Sequence, residues 1–421
     1  MSPTETEETE LSGMMRTANV ERSVPVASRS TTLRAAPFLF LLLVMSGCAG
    51  IITGRSVSSL IPPIYRSRVL KSLKLSGENR KEIENAITAV RPEHREGLCF
   101  ILAYMPPVDL ASVSSRSLLE NVETAYQARS SFPWAMDVRE DVFFHYVLPH
   151  RVTQEPLEDW RPFLLKRLKP IVENEQSMEK AAVKVNRWCG RRVRFGQTQW
   201  RDQGPFETLK SGYGRCEEMT ILFICALRSV GIPARIASTP RWSTTDGNHA
   251  WAEIWVDGEW KFAGACEPAE RLCQAWFAET AKRVALVYSL PYGIPEDTTD
   301  LYKKGDDFAI INSTPIYSAV GAVRVRVIDG GKAVPGEPMC LSVFNSGGLR
   351  PLALLKTDRN GEARMTVGDG TYFVSAGRQK RSWQIVEVKA NQTSEVLLDL
   401  STAKSFNSEF WLRYPPKELA R

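Results

Sequence analysis

The chain is short of the residues that build metal centres and disulfide scaffolds. Only four histidines (His94, His145, His150 and His249) and eight cysteines are spread over 421 residues. None falls into a CxxC or HExxH spacing, so no zinc site is expected and no cofactor is called for. Eight cysteines in this length are also too few for a disulfide-stapled fold. Long runs of one charge are missing as well: 54 basic and 48 acidic residues leave a net charge of +6. They are intermixed, without the basic block that tracks a phosphate backbone, which argues against nucleic acid as a partner. No internal repeat is visible. What is present is a 43% hydrophobic content, enough for two or three packed domains and too much for a largely disordered chain.

The N-terminus speaks to compartment. Arg16, Arg22, Arg29 and Arg34 precede APFLFLLLVM, an apolar stretch too short to span a bilayer as a mature helix, so residues 1–48 read as a signal peptide. The ending VMSGCAG resembles the lipobox of bacterial lipoproteins, which implies lipidation of Cys48, a membrane anchor and a place in the bacterial cell envelope facing the periplasm or cell surface. A signal-anchor helix is the alternative. Glu5, Glu7, Glu8 and Glu10 sit oddly ahead of such a signal, which points to translation starting at Met14 or Met15.

Beyond the signal the pattern changes twice. Residues 56–175 carry apolar positions at helical spacing, as in NRKEIENAITAV and LEDWRPFLLKRLKPIV, and predict a helical N-terminal region. Residues 176–290 predict a helix with Val183 and Trp188, a second helix and then alternating strands. Residues 318–400, with VRVRVID, EPMCLSVF and TYFVSAG between glycine-rich turns, predict a small antiparallel β-sandwich. Its TDRNGEARM and GDGTYFVSA resemble accessory β-domains of carboxypeptidases and bacterial surface proteins. DTTDLYKKGDD reads as the linker before it.

The chemistry concentrates in GYGRCEEM, residues 212–219. Met219, Leu222, Phe223, Ala226, Leu227 and Val230 follow at spacings of three and four, so Cys216 opens a buried helix. A thiol there meets unpaired N–H groups and the positive end of the helix dipole, which lower its pKa; Cys216 is therefore expected to alkylate ahead of the other cysteines. Glu217 and Glu218 suit a helix first turn. A nucleophile needs a base, and His249 in GNHAWAEIWVDGEWKFAGACEP supplies one. If that stretch is a hairpin with a three-residue loop and Gly258 left-handed, Glu253 lies opposite Lys261. Ala252 and Ile254 then share a face with Trp260 and Phe262, while His249 falls opposite Ala265 with Glu267 diagonal to it. A two-residue turn would instead turn Glu267 away. Asp246 is the rival acid. Taken singly, a histidine beside tryptophans is ordinarily a packed residue and a helix-opening cysteine ordinarily core. Cys189 and Cys266 are candidates to pair in an oxidising space.

SGYGRCEEMTILFICALRSVGIPAR followed by NHAWAEIWVDGEWKF resembles the transglutaminase-like superfamily. The resemblance implies an α+β fold: a papain-like core with a cysteine-bearing helix on a sheet that carries histidine and an acid, here flanked by the helical region and the β-sandwich. It implies Cys216, His249 and an acid as catalytic residues; Glu267, followed by Pro268, stands where an aspartate is usual. It further implies a thioester route on peptide or protein amides, with the oxyanion held by the Cys216 N–H and one of Gln197, Gln199 or Trp200. A membrane-tethered cysteine peptidase or amidase is the leading expectation. A protein cross-linking transglutaminase is the enzymatic alternative, set back because Trp260 is expected in the core and leaves too little to wall a water-free tunnel with Trp242 and Trp251. A non-catalytic surface binding protein is the third reading.

Overall fold

The computed structural model describes residues 56–199, 201–296, 298, 300–377 and 381–403; the signal segment, Cys48 and Trp200 lie outside the described residues. Among the described residues nine longer helices come first: α1 (Pro63–Leu75), α2 (Arg80–Ala89), α3 (Arg95–Tyr104), α4 (Ser115–Ser131), α5 (Glu140–Tyr146), α6 (Trp160–Val172), α7 (Met178–Gly190), α8 (Pro205–Ser211) and α9 (Cys216–Ser229). Proline at the first turn of α1 and α8 costs nothing there, because that N–H has no intrahelical partner anyway. Between α7 and α9 run β1 (Arg194–Phe195) and β2 (Tyr213–Gly214), a short parallel pair.

Helix α9 is the axis of the core. Its residues 218 to 229 are all buried, packed against α6, α7 and the sheet behind it. Each fully buried Leu, Ile or Phe there contributes about 1.5–3 kcal/mol of transfer free energy. Two arginines tie it to the helical region. Arg161, on α6 and 1% exposed, donates to the carbonyls of Arg228, Val147, Leu148 and Pro149 and to Asn121 Oδ1, while Arg228 donates to Ala234 O and Arg151 O. Carbonyls and an amide take the place of water around each guanidinium, and burial still pulls Arg161 down to about 9 and Arg228 to about 10.

The sheet on α9 has six strands in the order β5-β4-β3-β6-β8-β7, all antiparallel. They are β3 (Ala234–Thr239), β4 (His249–Val256), β5 (Glu259–Ala263), β6 (Tyr288–Leu290), β7 (Leu301–Lys304) and β8 (Ala309–Asn312). The segment expected as a linker thus supplies edge strand β7. Ala250, Ala252, Ile254 and Val256 of β4 face α9, and Trp251 and Glu253 face away. On that far face Glu253 accepts from Arg235 at 2.6 Å, Ser289 and Tyr317, and Arg235 lies 3.8 Å over the Trp260 ring.

The expected hairpin register is corrected. Asp257 and Gly258 both have positive φ, 55° and 85°, and form a two-residue turn with Val256 opposite Glu259. Phe262 therefore pairs with Glu253, and Lys261 with Ile254. Asp-Gly is the dipeptide a twisted two-residue hairpin turn prefers, because its mirror-image twist matches the strands.

The C-terminal region is a two-sheet sandwich. One sheet holds β9 (Val320–Asp329), β10 (Lys332–Ala333), β13 (Glu362–Gly368) and β16 (Thr393–Asp399); the other runs β12-β11-β14-β15, from β11 (Pro338–Asn345), β12 (Gly348–Lys356), β14 (Gly370–Ala376) and β15 (Ser382–Val388). All pairs are antiparallel except β16 with β9, which is parallel. Val323, Val325, Leu341, Val374 and Val388 fill its core. The described residues from 61 onward make one compact unit.

Candidate active site

Cys216 is the first residue of α9. Arg215 precedes it with extended backbone, and Glu218 folds back to accept the Arg215 N–H at 2.8 Å, the carboxylate half of a capping box, which fixes the helix start. The same carboxylate takes Thr198 Oγ1 and the Arg215 guanidinium, so Glu218 is structural, as expected. Glu217 is not. The Cys216 thiol donates to its Oε2 at 3.1 Å. Burial first, and then this carboxylate, push the thiol up to about 12, although the Ala250 N–H pulls the other way. The expectation of a low-pKa cysteine is corrected: the helix terminus is there, but an adjacent anion and loss of solvent outweigh it.

His249 opens β4 at the rim of the sheet. Its ring is boxed by aromatic rings: Phe277 and Trp276 have centroids 4.9 Å away, Trp251 5.8 Å and Trp242 6.4 Å. Burial pushes its pKa down to about 4, so the imidazole is neutral at physiological pH and able to accept a proton. Its Nε2 is buried and has no hydrogen-bond partner among the described residues.

Glu267 reaches the site by a route that strand register does not describe. Pairing between β4 and β5 ends at Ala263, and residues 264–267 then form a turn in which the Glu267 N–H donates to Gly264 O and Cys266 takes a positive φ of 58°. Asn186 of α7 holds this turn through Gly264 O at 2.9 Å. The left-handed residue re-aims the chain, so Glu267 lines the cavity even with the two-residue hairpin. Burial raises its pKa, and the neighbouring Trp276 side chain lowers it. Its Oε2 is likewise buried and, among the described residues, without a hydrogen-bond partner. A Cβ at Gly264 would meet Glu267 Oε2 at 2.5 Å, so any side chain there would push the carboxylate from this position.

Cys216, His249 and Glu267 line one cavity of about 440 Å³ together with Phe195, Met219, Asn248, Ala250, Ala265 and Trp276. Asp246 is not brought to the imidazole; its Oδ1 accepts the Ser346 N–H of the sandwich at 2.6 Å. Gln197 and Gln199 are exposed and do not line the cavity. Trp242 and Trp251 are buried in the core behind His249, and Trp260 stands over Arg235. The aromatic walls are Phe195 and Trp276, 68% and 64% exposed. Sequence reasoning missed both, and also Glu217's contact with the thiol. The cue that was available for Glu217 is its adjacency to Cys216 in the sequence. Among the described residues no group of three or more His, Cys, Asp or Glu could hold a metal ion.

Residues 166–264 match the model of the transglutaminase-like superfamily. The core of this chain is transglutaminase-like. The matched stretch contains Cys216 and His249 of the transglutaminase-like core and stops three residues short of Glu267. Among solved structures, a "Putative Cysteine Protease" from Cytophaga hutchinsonii is similar at 16% identity, with 44% of this chain and 66% of that chain covered and a TM-score of 0.27. A "putative protease" from Parabacteroides distasonis is similar at 9% identity, covering 54% and 37%, TM-score 0.25. A DUF3823 family protein from Parabacteroides merdae is similar at 15% identity, covering 20% and 46%, TM-score 0.17. The chain thus spans less than two thirds of each of these three structures. No curated protein matches it.

Proposed function

We propose that the protein is a cysteine peptidase or amidase that cleaves peptide amide bonds through a thioester on Cys216. The observation that carries this reading is a pair of orphans. Buried polar atoms almost always have partners, yet among the described residues His249 Nε2 and Glu267 Oε2, in the cavity that holds Cys216, have none. In our reading each becomes the other's partner during catalysis, since both line the same cavity. A side-chain rotation that joins them gives the imidazole a carboxylate, raises its basicity and fixes its tautomer.

In the resting pocket, proton transfer from a thiol near 12 to an imidazole near 4 is steeply uphill. Catalysis therefore needs two changes as substrate enters: Glu267 pairs with His249, and Glu217 releases the thiol. His249 then takes the thiol proton, Sγ attacks the carbonyl carbon, and the N-terminal N–H groups of α9 stabilise the oxyanion. Collapse expels the amine, which receives the proton from His249. Water, deprotonated by the same imidazole, attacks the thioester; the acid leaves and the thiol is restored.

Hydrolysis is favoured over cross-linking by exposure. Both aromatic walls of the cavity, Phe195 and Trp276, stand mostly in solvent, so the thioester would meet water before a scarce amine. Among the described residues no helix is long and apolar enough to cross a membrane; in our reading the chain is held at the bacterial envelope by lipid on Cys48, facing extracytoplasmic peptide. The test offers a panel of peptide amides with excess labelled primary amine. New carboxyl ends or ammonia that depend on Cys216 support the reading. Amine incorporation outpacing hydrolysis would make the protein a transglutaminase, and no turnover of any amide would favour the binding-protein alternative.

A further inference from the structure

We propose that the β11–β12 turn of the C-terminal sandwich, through Asn345 and Ser346, is a positioning element for His249, so that the accessory domain completes the active site. The inference rests on His249 being the catalytic base.

The segment between β3 and β4, residues 240–248, carries the chain into His249, and the sandwich grips it. Asn345 is 1% exposed. Its Nδ2 donates to Trp242 O at 2.9 Å, Thr245 O at 3.0 Å and Gly247 O at 3.1 Å, and its Oδ1 accepts the Gly247 N–H at 3.1 Å. The Ser346 N–H adds the bond to Asp246 Oδ1. A buried amide is costly unless its hydrogen bonds are made, and apart from Ser346 Oγ every partner given to this one comes from the segment ahead of the histidine. The turn is shaped for the task. Ser346 and Gly347 both have positive φ, 49° and 74°, between the paired Asn345 and Gly348. For serine that conformation is disfavoured, and sparsely populated backbone persists where surrounding contacts over-determine it.

Two routes lead from the clamp to the imidazole. One is backbone: Gly247, bonded on both its N–H and its carbonyl, lies two residues before His249. The other is Trp242, whose carbonyl Asn345 holds and whose ring stacks on His249 at 6.4 Å and on Trp251 at 6.1 Å. Removing the amide takes the Asn345 partner from the Trp242 and Thr245 carbonyls and the Gly247 N–H, leaves Gly247 O with the Trp242 N–H alone, and loosens both routes at once.

The experiment uses the full chain. Asn345→Ala should lower kcat roughly tenfold to a hundredfold with KM little changed, the cost of a base displaced by under an ångström. It should also move the His249 titration, followed by NMR of histidine-labelled protein, upward by about one unit as burial loosens. The titration reads the clamp whether or not an amide is turned over, which separates failure of this inference from failure of the peptidase reading. A lower Tm with the His249 titration unmoved would overturn the proposal. If Asn345→Ala does not fold, Asp246 decides: an asparagine oxygen still accepts the Ser346 N–H, so Asp246→Asn should titrate like the wild type while Asp246→Ala shifts. Both matching the wild type, or both shifting equally, would overturn it.

Discussion

The two halves of the site are held in different ways. The cysteine half is local: Cys216 is placed by a helix start that Glu218 caps from three residues away and that Thr198 and Arg215 brace. The base-and-acid half is assembled from afar. His249 depends on aromatic rings of the 276–277 turn and on Asn345, about a hundred residues onward, and Glu267 on Asn186, about eighty residues back. The local half is also the more rigid, an α-helix buried on nearly every side, whereas the distant half ends in a turn with unpartnered atoms. In the proposed mechanism the backbone that carries the thiol stays fixed on the helix, and the parts that adjust are two carboxylate side chains, Glu217 in the cysteine half and Glu267 in the other.

The largest expected effect falls on both halves equally. Cys216→Ala and His249→Ala should each lower turnover by roughly a thousandfold or more, with thermal unfolding little changed for Cys216→Ala, measured by initial rates and calorimetry. If His249→Ala retains activity, the second half is not part of the site.

The next effect separates acid from scaffold. Glu267→Gln should cost about a hundredfold or more in kcat without unfolding the protein. Gly264→Ala, whose methyl would press on Glu267 Oε2, should show part of the same loss with the carboxylate intact. A harmless Glu267→Gln would leave His249 without an orienter.

pH probes how firmly the base half is buried. A histidine whose folded pKa is near 4 binds fewer protons than its unfolded counterpart near 6.5. Its stabilising contribution is thus complete above pH 6.5 and is lost as pH falls toward 4. Between pH 6.5 and 4.5 the wild type should lose about 2 kcal/mol more stability than His249→Gln, read from urea midpoints. Equal losses would mean the ring is solvated.

A smaller effect belongs to the cysteine half. Glu217→Gln should raise the alkylation rate of Cys216 at pH 8 by about tenfold, one pKa unit of thiolate. In the wild type the exposed Cys273 should label first and the buried Cys99 and Cys225, pushed up by burial, last. The Cys189 and Cys266 thiols lie in hydrogen-bond contact, so peptide mapping after oxidation should find these two joined.

Legibility followed the same division. The α9 periodicity, its cap and the glycines before Cys216 are statements about neighbours in sequence, and the helix runs from Cys216 as read. The order of Cys216 and His249 was legible because each opens its element. The hairpin loop was misjudged by one residue, and in a sheet a one-residue slip moves every side chain to the other face. Glu267 still lines the cavity because a left-handed Cys266 and Asn186 redirect the chain, which no strand pattern announces. Asp246 carried an acid's chemistry three residues from His249, yet it binds Ser346 a hundred residues away. The grip of the sandwich on the histidine segment is written in a turn that looked like any other glycine-rich turn.

The central claim is that Cys216 forms the acyl bond. The most direct measurement is a single-turnover reaction with an activated ester of an acylated dipeptide, quenched in acid and followed by intact mass and peptide mapping. One acyl group is expected on the peptide bearing Cys216, discharged by hydroxylamine, formed more slowly in Glu267→Gln and absent in Cys216→Ala. An acyl group on any other residue, or unchanged acylation in Cys216→Ala, would contradict it.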